Sequence, residues 1–352
     1  MEARSLTTSR RSLLGLTAAL AATMVGLSAC GGDSSTASSS SSGSAAGASS
    51  TSLDLVGFAV IKSAYDELGT AFAKTDAGKG VTIKGSYGAS GAQSRAVIAG
   101  QKADVVAFSL APDLDNVAKA GLVDPAWNTG PNKGIVSRSV VVIAVRKGNP
   151  KGIKGWADLV KPGVGIVTAD PGTSGSAKWN LLAAYSQALG AAKDETAAKT
   201  YLTSFIKNVV SWNDSGRTAT DAFVKGTGDA LISYENEAIA ARAAGVELDY
   251  VVPDSTLLIE NPAAVTKTAP PAAKAFLDFV ASADGQKILG SKGFRSIDDA
   301  VTVTDVAGAN DPAKPFPAVT NLITVADLGG WSDVNKKFFD KENGLVTLLR
   351  KS

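Results

Sequence analysis

Ser139-Val140-Val141-Val142-Ile143-Ala144-Val145-Arg146, followed at once by Lys147-Gly148-Asn149-Pro150, is the stretch on which the fold turns. An uninterrupted apolar run bounded by turn residues reads as a buried strand, and this one is long for its neighbours. Before it, short β-branched runs at 53–60, 81–86 and 104–108 alternate with helical patterns at 63–74, 93–99 and 114–120. After it the alternation resumes, with strands near 165–168, 209–212 and 230–234 and helices near 176–189, 194–208 and 219–225. Such alternation predicts α/β lobes with largely parallel sheets. Two more strands, 248–252 and 257–260, flank Pro253-Asp254, and an amphipathic helix over 270–290 takes the chain back across. Two lobes joined by two crossings make a hinge that can close on a ligand. No Pro/Ser/Gly linker separates the halves, as two independent tandem domains would require.

The chain has 352 residues, 45% of them hydrophobic, enough for two lobes of ordinary size. Its formal charge of +2 falls to zero once a leader carrying Glu2, Arg4, Arg10 and Arg11 is removed, leaving no polyanion surface and no expected nucleic-acid partner. There is no histidine, the commonest zinc ligand and general base, and the single cysteine, Cys30, cannot form an intrachain disulfide. Metal chemistry and His-based triads are therefore excluded, and no cofactor is expected.

Residues 4–29 read as an export signal: a basic start, an apolar stretch over 13–27 too short and too rich in Ala, Gly and Thr for a spanning helix, and a small-residue exit. Leu27-Ser28-Ala29-Cys30 resembles the bacterial lipobox, which implies that Cys30 is diacylated and becomes the new N-terminus. Ser9-Arg10-Arg11-Ser12-Leu13-Leu14 also resembles a twin-arginine motif. Residues 31–52, nearly all Ser, Gly, Ala and Thr, form a tether reaching on the order of 25 Å as a random coil. The expected division is a signal peptide (1–29), the lipidated cysteine and linker (30–52), the first part of lobe one (53–138), hinge and lobe two (139–252), and the second part of lobe one with C-terminal helices (253–352).

Two loops of one design follow strands in the two lobes: Gly88-Ala89-Ser90-Gly91-Ala92-Gln93 and Gly172-Thr173-Ser174-Gly175-Ser176-Ala177. Each opens a helix, where unpaired N–H groups and the positive end of the helix dipole suit an oxyanion. Ser90 and Ser174 add hydroxyl donors. Either loop alone is also an ordinary cap and turn; one in each lobe makes a pair of nests able to hold a small dianion with neutral donors.

These two loops, together with Val145-Arg146-Lys147-Gly148-Asn149-Pro150 and Gly228-Asp229-Ala230-Leu231-Ile232-Ser233-Tyr234-Glu235-Asn236-Glu237, resemble the sulfate-binding protein family of sulfate/thiosulfate ABC importers. The resemblance runs from about Leu53 to Trp331. It implies a two-lobe, type II periplasmic-binding-protein fold, working as a monomer outside the cytoplasm and delivering sulfate or thiosulfate to a membrane permease and its ATPase. It also implies that backbone amides and serine hydroxyls hold the anion, which on matching positions means Ser90, Gly91, Ser174, Gly175 and Ser176. Ser176 replaces the family's second glycine. Tyr234 stands where the family carries an indole donor, and is alternatively an aromatic packed on Pro253 or Trp212. A further amide falls on Gly216 or Arg217, and a charge from Arg217 would favour a different oxyanion. Asp113, Asp170 and Asp229 read as caps and turns.

A phosphate or molybdate/tungstate receptor shares the architecture and is the alternative reading. A structural lipoprotein would bind no small ligand. Ser204-Phe205-Ile206-Lys207 and Lys267-Thr268-Ala269 echo acyl-serine enzymes, but no Ser-Asp-Asn accompanies them, and the reading is a non-enzyme.

Overall fold

The computed structural model describes residues 50–351; the leader and Cys30 lie outside them. The first lobe starts with β1 (Thr51–Phe58), α1 (Lys62–Phe72), β2 (Val81–Gly88), α2 (Ser90–Ile98), β3 (Val105–Ala107) and α3 (Ala111–Lys119). β1 pairs in parallel with both β2 and β3, as the alternating pattern requires.

The deciding run is the centre of β4 (Ile135–Arg146). Its residues 140–145 are all at most 1% exposed. The pleat sends Val141, Ile143 and Val145 into one core and Val140, Val142 and Ala144 into another, so the strand is buried on both faces and shows no polar alternation. The second lobe follows: β5 (Ile166–Ala169), α4 (Gly175–Leu189), α5 (Glu195–Lys207), β6 (Val209–Asn213), α6 (Gly216–Val224), β7 (Ala230–Tyr234), α7 (Glu235–Ala243) and β8 (Leu248–Val251).

β9 (Ser255–Val265) returns the chain antiparallel to β4. Its middle, Leu258–Pro262, pairs with the start of β4, and its end, Ala263–Val265, joins β3 of the first lobe. The latter half of β4, Val141–Val145, joins β7 of the second. These two strands are the crossings, and they fuse the lobes' sheets into one mixed, curled path β2-β1-β3-β9-β4-β7-β5-β6. β9 runs past the expected end at 260 because Pro262, which lacks an N–H, sits where the β4 register shifts at Ile135/Ser137.

The single helix expected over 270–290 is two, α8 (Pro271–Ala281) and α9 (Ala283–Ser291). Ser282 breaks it by accepting the Gly285 N–H at 3.2 Å, an N-cap bond. The chain ends with β10 (Asn321–Ile323), α10 (Gly330–Val334) and α11 (Leu345–Leu349). The C-terminal helices were expected with lobe one but pack on lobe two. Trp331 meets Trp179 of α4 edge-on at 4.9 Å, Phe338 meets Tyr185 at 4.7 Å, and Lys337 pairs with Glu195 at 2.6 Å. Trp331 and Phe338 thus pack on the buried rings of Trp179 and Tyr185.

Candidate functional site

Between the lobes lies a small, tight cavity, far below the size of a cleft for a drug-sized molecule. Each wall is a strand end running into a helix start. From lobe one come Phe58, Ala59 and Val60, where β1 enters a 3-10 turn leading into α1, and Gly88, Ala89 and Ser90, where β2 enters α2. Ser109 follows β3. From lobe two come Ser174, Gly175 and Ser176 at the start of α4, and Ser215 and Gly216 at the start of α6.

Four helical N-termini thus face one space. The opening N–H groups of a helix have no carbonyl partner within it, and each terminus carries about half a positive elementary charge, so four offer about two. No ionisable side chain lines the cavity. The lobes are closed over it: the Gly91 N–H donates to the Thr173 carbonyl across the cleft at 3.1 Å.

The expected site residues are placed as follows. Ser174, the α4 N-cap residue, makes no capping bond with its hydroxyl, and its own N–H is held by the Asp170 carbonyl at 2.9 Å. Ser176 is 3% exposed, and its hydroxyl has no partner although it lies on the cavity wall. An unpaired buried hydroxyl costs about 1–3 kcal/mol, which an anion would repay. Gly175 and Gly216 line the wall through backbone alone; a Cβ on Gly216 would lie 2.9 Å from Ser176 Oγ. The Ser90 hydroxyl is spent, donating to Asp113 Oδ2 at 2.6 Å and accepting the Ser109 N–H at 2.9 Å, so Ser90 offers its amide. Gly91 is a closure contact.

Arg217 turns away from the cavity to pair with Glu237 at 2.6 Å. Glu237 also accepts from Thr220 Oγ1, so the pair ties α6 to α7. Burial pushes the Glu237 carboxyl up, with Arg217 pulling it back. Tyr234 is fully buried and stands one residue behind the wall: its hydroxyl lies 2.6 Å from Ser109 Oγ and its ring 6.3 Å from Phe58, rather than against Pro253 or Trp212.

Asp170 serves its turn, accepting the Gly172 N–H, but Asp229 does not: it accepts the Gly165 N–H from 64 residues away and so ties the entry of β7 to that of β5. Asp113 does more: it sits beneath Ser90, its carboxyl pushed up by burial and drawn down by the Ser90 hydroxyl, Lys178 and Arg95. Sequence reasoning missed Phe58, Ala59, Val60, Ser109 and Ser215. The first three are apolar and leave no compositional mark of a polar site; Ser215 was in view beside Gly216, and its hydroxyl caps α6 by accepting the Thr218 N–H. Ser204 of the enzyme-like tetrapeptide bonds back to the Thr200 carbonyl on α5, an ordinary helical contact.

Two α/β lobes, two crossing strands and a helix-terminus cavity between them define an extracytoplasmic solute-binding fold, and residues 53–295 match the family described as bacterial extracellular solute-binding protein. The chain is 40% identical over 296 residues to a sulfate-binding protein of Synechococcus elongatus, covering 81% of this chain and 83% of that one. It is 36% identical to a thiosulfate-binding protein of Pseudomonas aeruginosa, over 68% of this chain and 76% of that one. Among solved structures it is similar to the sulfate-binding protein SubI of Mycobacterium tuberculosis, with a TM-score of 0.77 at 44% identity, covering 82% of this chain and all of that one. The chain belongs to the sulfate-binding protein family.

Proposed function

We propose that the protein captures sulfate or thiosulfate in this cavity and delivers it to the permease and ATPase of an ABC importer. The observation that carries this is the convergence of four helix N-termini on a small space with no ionisable lining. Neutral donors suit a fully deprotonated anion; a protonated one needs an acceptor for its hydrogen. The names of the relatives point to the same ligands.

On this reading the 53–138 segment and the chain returning after 253, short of the C-terminal helices, make one jaw, and 139–252 makes the hinge and the other. Ser90, Gly175, Ser176 and Gly216 supply amides, and Ser174 and Ser176 supply hydroxyls. Binding without chemistry is the whole task. Cys30 carries the lipid anchor and 31–52 tether the protein, as a monomer, to the outer face of the membrane. Metabolic labelling with palmitate is expected to mark the wild type and not Cys30→Ala, which is released to the medium; a labelled Cys30→Ala would remove the anchor assignment.

The functional test is calorimetric titration of protein dialysed free of sulfate. Sulfate or thiosulfate is expected to bind at least a hundredfold tighter than phosphate, and sulfate affinity is expected to change less than threefold from pH 5.5 to 8.5. The flat profile follows because neither the anion nor the lining exchanges a proton there. Tighter binding of phosphate or molybdate would overturn the assignment.

A further inference from the structure

Ser109 lies on the cavity wall, and its hydroxyl is met by both an indole and a phenol. Trp179 Nε1 lies 3.2 Å from Ser109 Oγ and 3.1 Å from the Ser109 carbonyl, and an indole N–H can only donate. Tyr234 Oη lies 2.6 Å from the same Oγ. Of those two hydroxyls the phenol is far the stronger acid, so Tyr234 donates and Ser109 accepts. Asn261 Nδ2 donates to the Ser109 carbonyl at 3.1 Å and its Oδ1 accepts from Ser137 Oγ at 3.3 Å, which holds the Ser109 backbone in place.

We infer that Ser109 is a donor to the bound anion, its proton aimed into the cavity because Tyr234 and Trp179 occupy both of its lone pairs. A serine hydroxyl has one proton and two acceptor sites. With both acceptor sites filled, the direction left for the proton is the open one. Gly175 gives the hydroxyl its room: a Cβ there would lie 2.4 Å from Ser109 Oγ. The buried tyrosine is thus the first link of a relay, Tyr234 to Ser109 to anion, and it delivers a donor to a wall that its own ring does not reach.

The relay also sets specificity. Deprived of acceptor capacity, Ser109 cannot take a proton from hydrogenphosphate, whereas sulfate at neutral pH has none to give. Ser109 is accordingly a specificity-determining residue and Tyr234 a positioning residue. Both assignments rest on the oxyanion reading above.

The experiment is a calorimetric double-mutant cycle on the full-length chain in detergent, using sulfate and phosphate as probes. Ser109→Ala is expected to weaken sulfate roughly tenfold to a hundredfold, the range for a hydrogen bond to a charged group. Tyr234→Phe, which keeps the ring and frees one Ser109 lone pair, is expected to weaken sulfate about fivefold to tenfold and narrow the sulfate-to-phosphate ratio. In the Ser109→Ala background Tyr234→Phe is expected to do nothing further, since the relay has no end. Equal effects of Tyr234→Phe in both backgrounds, with an unchanged ratio, would show a packing role and overturn the relay, as would a Ser109→Ala protein within twofold of wild type. Should Ser109→Ala not fold, the ratio shift of Tyr234→Phe decides alone. A wild type that binds neither sulfate nor thiosulfate removes the oxyanion reading itself, a result separate from these.

Discussion

Gly175→Ala is expected to weaken sulfate binding by at least a hundredfold while leaving the thermal midpoint of the anion-free protein within about 2 °C. The added Cβ would lie 2.4 Å from Ser109 Oγ, 2.7 Å from Ser109 Cβ and 2.8 Å from Leu110 Cγ. All three belong to the first lobe, whereas Gly175 opens α4 of the second. Strain across a cleft is relieved by opening it, so the clash falls on closure and not on folding. Gly175 does not need a left-handed backbone, and alanine favours a helix over glycine by about 1 kcal/mol, so local structure gains if anything. Closure brings the α1 and α2 termini to the anion held by α4 and α6, and without it half the donors are lost. Small-angle scattering in saturating sulfate is expected to show a compact wild type and an expanded variant. Normal affinity in the variant would mean that the lobes need not close this far.

The second large effect is on stability. Arg295→Met is expected to lower unfolding free energy at pH 7 by about 3–5 kcal/mol, the usual cost of orphaning a buried charge. Arg295 grips Glu235 with two bonds, at 2.6 and 3.0 Å, and the Glu235 side chain is wholly buried at the start of α7. Burial already holds the Glu235 carboxyl above its usual range, with Arg295 pulling it down; removing the cation raises it further. A carboxyl with a raised folded value takes up a proton on folding. The variant's deficit is therefore small below the unfolded value of about 4.3 and grows as pH rises through the folded one. Urea unfolding at pH 5 and pH 7 checks the sign. Adding Glu235→Gln is expected to restore part of the loss by removing the unpaired charge; an unchanged or deeper loss would assign the effect to other Arg295 contacts, its bond to the Pro317 carbonyl at 3.0 Å and its place over the Phe316 ring.

Much of the architecture was legible in the chain. The apolar run within β4 and the strand–helix alternation on both sides announced two α/β lobes, because a strand buried on both faces, even an antiparallel one like β4, is apolar throughout. Helix α7 was not legible. Its first turn, Glu235-Asn236-Glu237, is polar yet buried, so the face that enters the core does not look like one. The division at Ser282 was hidden for a related reason: apolar periodicity runs on through α8 and α9, and only the cap bond ends the first helix.

At the site, small residues before helices pointed to Ser174, Gly175 and Ser176, and the family resemblance to Gly216 or Arg217; of these Ser174, Gly175, Ser176 and Gly216 line the cavity. Composition alone also excluded histidine chemistry. What the tertiary structure decided was where each donor points. It sent Arg217 to Glu237, spent the Ser90 hydroxyl on Asp113, set Tyr234 behind Ser109, and brought Phe58, Ala59 and Val60 to the wall. The physical reason is one of range. Helix starts are written in neighbouring residues, but a hydroxyl's free proton direction depends on groups 125 and 70 positions away, Tyr234 and Trp179, which only folding brings to Ser109.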